Sequence, residues 1–72
     1  VNKDYLRYIC SEHNKSFEDL ARAIGVNLST FYRKLSGESD FSRNEIQIIR
    51  DQLHLSSEDV DKIFFTPALT KT

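Results

Sequence analysis

The stretch Phe17-Glu-Asp-Leu-Ala-Arg-Ala-Ile-Gly-Val-Asn-Leu-Ser-Thr-Phe-Tyr-Arg-Lys-Leu-Ser-Gly37 holds both glycines of the chain. Before Gly25, the apolar residues Phe17, Leu20, Ala21 and Ile24 recur at helical spacing; before Gly37, Leu28, Phe31 and Leu35 do the same. Two short helices, each ended by a glycine, follow from that pattern. The connection between them is about three residues long, and Gly25 supplies the positive φ that so tight a turn requires. Ala21 is small where the two helices would cross closely.

Working outward, the same punctuation sets the remaining elements. Ser16 and Asp19 form a capping box for the first of the two helices, and Asn27 caps the second. Upstream, Tyr5, Leu6, Ile9 and Cys10 mark one helix, with Asn14 a left-handed stop after His13. Downstream, Ser42 and Glu45 form a second capping box ahead of Ile46, Ile49 and Leu53. Ser56 or Ser57 then caps a short fifth helix carrying Val60, Ile63 and Phe64, stopped by Thr66-Pro67. No alternating apolar and polar stretch suggests a strand. The expectation is an all-α, compact five-helix domain over residues 1–72, its motif at about 16–37 and its tail, 66–72, flexible.

Seventy-two residues make one small domain with a thin core. The single cysteine, Cys10, allows no internal disulfide and suits a reducing compartment. No apolar run approaches the ~20 residues needed to span a bilayer, and the first ten residues lack a secretory pattern. A soluble cytoplasmic protein with no membrane partner is expected. Net charge is −1, but residues 1–37 hold six Lys/Arg against four Asp/Glu, and residues 38–72 hold four against seven. The distribution thus matters more than the sum.

Catalysis finds no support. The two glycines are too far apart for a phosphate-cradling loop, and neither H-E-x-x-H nor G-x-S-x-G occurs. Cys10 and His13 have ligand spacing, but His54 is the only other soft ligand, short of the four a structural zinc site needs. No enzyme activity, metal or cofactor is expected.

Two short helices around a glycine turn form a helix-turn-helix, whose second helix can enter a DNA major groove. The segment 17–37 resembles that of phage repressor and Cro-like proteins, through Ala21, Gly25, Val26, Phe31 and the closing Ser36-Gly37. The resemblance covers roughly residues 3–65, with one helix before the motif and two after it. It implies a phage-type regulator acting on double-stranded operator DNA in a bacterial host, at the nucleoid, and able to form a homodimer on DNA. Advancing about 100° per residue, the third helix turns Leu28, Phe31 and Leu35 inward and Ser29, Thr30, Arg33 and Ser36 outward. Carried over from the family pattern, Leu28, Ser29, Tyr32 and Arg33 are the base-facing candidates, with Leu28 equally readable as core. Arg33 suits the O6 and N7 of a guanine. Ser16, Thr30, Lys34 and Arg43 are by the same analogy the phosphate candidates.

Three features depart from that pattern. The family usually places a glutamine at the first position of helix two, reaching a phosphate and bracing the recognition helix; Phe17 is expected to do neither. The following loop carries Glu38 and Asp40, which repel phosphates. The overall charge is slightly acidic, which weakens counterion release, and Phe41, Phe65 and Leu69 add apolar residues for either the core or a contact surface. An alternative therefore stands: an antirepressor, or modulator of repression, that grips a partner repressor protein through Glu38, Asp40, Phe41, Asp61 and Phe65.

Overall fold

The computed structural model describes residues 1–65, and its helices are α1 (Lys3–Glu12), α2 (Phe17–Ile24), α3 (Leu28–Ser36), α4 (Arg43–Leu53) and α5 (Ser57–Val60). The last continues without a break into a π-helical turn, Asp61–Phe65. There is no strand among the described residues. The Thr66-Pro67 stop, the tail 66–72 and Leu69 lie outside the described residues.

Each start is fixed by a side chain on an otherwise orphaned amide. Asn2 caps α1 and Asn27 caps α3, while Ser16, Ser42 and Ser56 make reciprocal capping boxes with Asp19, Glu45 and Asp59. Such caps each contribute about 1 kcal/mol. Stops use the left-handed conformation, with φ of 83° at Gly25 and 93° at Gly37. Asn14 follows the same rule at φ 56°. α4 ends on His54 at φ 52°, so an imidazole-bearing residue holds the conformation that glycine would hold more cheaply.

α2 lies at the centre, against both α3 and α4, and Ala21 is buried where it packs. α1 closes on the C-terminal turn: the Asn2 amide donates to the Ile63 carbonyl at 2.7 Å, and the Tyr5 hydroxyl to Asp59 at 2.9 Å. The core comprises Leu6, Ile9, Cys10, Phe17, Leu20, Ala21, Phe31, Leu35, Ile49, Leu53, Leu55, Val60 and Ile63. A row of phenylalanine rings threads it. Phe17 meets Phe31 at 5.5 Å, Phe31 meets Phe41 at 5.7 Å, and Phe41 meets Phe64 at 5.3 Å between centroids. Tilted and edge-on pairs of this kind add about 0.5–1.5 kcal/mol each beyond burial.

One expectation needs correcting. Leu28 does not turn inward with Phe31 and Leu35; at the first position of α3 it is 36% exposed. The short fifth helix carrying Val60, Ile63 and Phe64 is present. Its last turn widens to π winding while Val60 and Ile63 stay buried and Phe64 half-buried.

Candidate nucleic-acid interface

α3 is anchored from beneath and bare above. Phe31 and Leu35 are buried, whereas Leu28, Ser29, Tyr32, Arg33 and Ser36 are exposed. The α2–α3 angle is held by the Gly25 turn, where the Val26 amide donates to the Ala21 carbonyl at 3.0 Å. Phe17 adds a second constraint. It is buried, and besides meeting Phe31 it lies edge-on to Tyr32 at 6.1 Å. The reading of Phe17 as unable to brace the recognition helix is therefore wrong. It braces with ring contacts to two residues of α3, where a glutamine would use hydrogen bonds.

All four base-facing candidates share this exposed surface. Tyr32 packs edge-to-face with Phe17 and remains 45% exposed. Arg33 has no ion pair and no side-chain hydrogen bond among the described residues. An exposed guanidinium held on a rigid helix among small polar residues offers a planar fork of donors to a flat acceptor edge.

The phosphate candidates divide. Arg43, at the start of α4, is exposed and has no ion pair among the described residues. Thr30 is half-buried, and its amide is taken by the Asn27 cap at 2.8 Å. Ser16 donates to Asp19 through its amide at 2.8 Å and through its hydroxyl at 3.1 Å. Those bonds, the backbone one foremost, hold the Asp19 carboxyl below its ordinary pKa. Lys34 is folded back. Its ammonium pairs with Glu45 at 3.1 Å, donates to the Asp40 carbonyl at 3.0 Å and lies over the Phe41 ring. Burial opposes ionisation of Glu45, but the Ser42 amide and Lys34 outweigh it, and its pKa is lowered.

The residues of the alternative surface are only partly together. A groove of about 370 Å³ brings Asp40, Phe41 and Phe65 to one place with Phe64. Phe41 is half-buried in the phenylalanine row, while Phe65 is 60% exposed. Glu38 accepts from the Ser36 hydroxyl at 3.4 Å, and neither it nor Asp61 lines that groove.

Another groove, of about 470 Å³, runs between α1 and the starts of α2 and α3. Arg7, Cys10, Lys15, Ser16, Phe17, Glu18, Leu28 and Tyr32 are among its lining. Arg7 and Lys15 were not legible as site residues, because nothing in their spacing tells that α1 passes beside the start of α3. Burial, helped by Asp19, pushes the Cys10 thiol up to about 11, so it stays protonated. The His13 and His54 rings lie 5.9 Å apart where two helix ends meet. Among the described residues no three His, Cys, Asp or Glu side chains group to hold a metal ion, and no helix is long and apolar enough to cross a membrane.

Comparison with known proteins identifies the family. The family model for the Cro/C1-type HTH DNA-binding domain matches residues 5–61, taking in α1 to α5 and the whole of the exposed α3 face. No curated protein and no solved structure matches the chain.

Proposed function

The chain belongs to the Cro/C1-type helix-turn-helix DNA-binding domain family, and on that premise we propose that it is a phage-type transcriptional regulator reading operator DNA through α3. Leu28, Ser29, Tyr32 and Arg33 face base edges, Arg33 toward a guanine, while Arg43 and Thr30 serve the flanking phosphates. The observation that carries this reading is Arg33: exposed, without an ion pair among the described residues, and mounted on a helix fixed by buried Phe31 and Phe17. Lys34 has a mainly structural task, tying α3 to α4 through Glu45.

Two copies would place their α3 helices about 34 Å apart, one turn of DNA, and so read paired half-sites. The exposed Phe65 is the apolar residue through which such a homodimer would form. Regulation follows from occupancy, since a bound operator excludes another regulator or the polymerase. The setting is the nucleoid of a bacterial host.

A second reading keeps one observation in its favour. The groove shared by Asp40, Phe41 and Phe65 combines an exposed carboxylate with an exposed ring, a surface able to hold a basic, apolar segment of a partner repressor. Selection of duplexes from a random pool separates the two. The unaltered chain is expected to enrich a short motif containing guanine, and Arg33→Ala to lose preference at that guanine while staying helical. A pool that remains random with the unaltered chain refutes DNA readout. Loss of repressor binding on Glu38→Lys with Asp40→Lys would favour the second reading.

A further inference from the structure

The start of α2 lacks the polar side chain that would reach a phosphate. Phe17 has no polar side-chain atom, and the amide and hydroxyl of Ser16 both donate to Asp19. Yet the groove beside them is bordered by two cations from outside the motif, Arg7 on α1 and Lys15 in the α1–α2 connection. The guanidinium of Arg7 lies over the Phe17 ring, 5.1 Å from its centroid. We propose that Arg7 is a DNA-phosphate contact at this edge of the interface, presented by the Phe17 ring, with Lys15 as the second cation of the same groove. This rests on the DNA-binding reading and adds to it residues that lie outside the helix-turn-helix.

Three observations support the assignment. The groove shares Leu28 and Tyr32 with the exposed face of α3, so its mouth opens beside the helix that would lie in the major groove. Phosphates flanking that groove then pass along it. Arg7 has no ion pair among the described residues, so the donors of its guanidinium are able to meet a phosphate two at a time. One carboxylate, Glu18, also lines the groove, but it pairs with Arg22 at 3.7 Å. Lys15 donates to the neutral Gln52 amide oxygen at 3.4 Å and makes no ion pair among the described residues, although its charge also helps to hold the Asp19 carboxyl ionised.

The geometry also explains why an aromatic residue can stand at position 17. One ring meets Phe31 and Tyr32 of α3 and also carries the Arg7 cation. The phosphate contact thus moves from the α2 side chain to α1.

A phosphate contact is indifferent to sequence, so the probe is a labelled duplex of arbitrary sequence, titrated by anisotropy across salt. Losing one phosphate contact lowers the slope of log K against log[salt] by about 0.9. Between about 50 and 200 mM salt, Arg7→Ala is therefore expected to lose about 3.5-fold less affinity than the unaltered chain does. Arg7→Lys should restore most of the slope. The same Arg7→Ala change leaves sequence preference intact, whereas Arg33→Ala alters preference. An unchanged slope in Arg7→Ala, with binding retained, overturns the assignment and leaves the function standing. A lowered melting temperature with an unchanged slope means Arg7 only packs, and overturns it as well. Failure of the unaltered chain to bind any duplex overturns the function and this inference together.

Discussion

Replacing Phe17 by glutamine, the residue usual at this position in the family, tests the physical account of how α3 is held. By residue type alone the change looks like a repair that restores a phosphate contact. The structure predicts damage. Phe17 is 7% exposed and makes ring contacts with Phe31 and Tyr32 beneath the Arg7 guanidinium. Two aromatic pairs contribute about 0.5–1.5 kcal/mol each, and the cation–π contact at an exposed edge adds about 0.5–1 kcal/mol. The amide of glutamine would enter a nearly closed apolar slot, at a further cost of about 1–3 kcal/mol unless it finds a partner. With the glutamine amide finding a partner, the lost ring and cation contacts alone give a net loss of about 3 kcal/mol, which is the expectation. Stability of roughly 0.05–0.15 kcal/mol per residue gives a chain of this length about 4–11 kcal/mol in all. The variant should therefore fold, with a melting temperature lower by about 12–24 °C, using about 4–8 °C per kcal/mol for a domain of this size. Thermal and urea unfolding followed by circular dichroism measure the loss, and duplex titration should show weaker binding. A loss below about 1 kcal/mol, or tighter DNA binding, would refute the bracing argument.

Four further expectations follow. Gly25→Ala should lose about 1 kcal/mol in urea unfolding: the added methyl meets nothing within 4 Å, so only the strain at φ 83° opposes it. Lys34→Met should destabilise without altering sequence preference in duplex selection, because it removes the ion pair of a half-buried Glu45, which then keeps only its bonds to Ser42. Acid should destabilise the fold. The carboxyls of Asp19, Glu45 and Asp59 all sit below their ordinary pKa values. Their contribution is complete above the unfolded range of about 4 to 4.5 and disappears as pH falls through the lowered folded values, so unfolding midpoints measured from pH 6 downward should fall only in that window. Finally, Cys10, buried with its pKa at about 11, should react with a thiol reagent at pH 8 far more slowly in the folded chain than in urea.

Most of the fold was legible because it is written in local chemistry. Capping boxes at Ser16 and Ser42, glycines at 25 and 37 and 3.6-residue apolar spacing involve residues within one or two turns of each other. The exposed face of α3 followed from the same periodicity, with Leu28 misplaced because a first-turn residue can escape the core its spacing points toward. What the sequence hid is tertiary. Lys34 reads as a surface cation until the cap at Ser42 turns Glu45 toward it. Phe17 reads as a lost function until Phe31 and Tyr32 are seen around its ring. Arg7 carries no sequence signal, since its place beside α2 depends on how α1 packs.

The most direct test of the central claim is amide chemical-shift mapping of the labelled chain on titration with the duplex it selects. The account predicts shifts concentrated on residues 28–36, with a second set at Arg7 and residues 15–17. Shifts confined to the α3–α4 loop and the surface around Phe65, or no shifts at all, would contradict it.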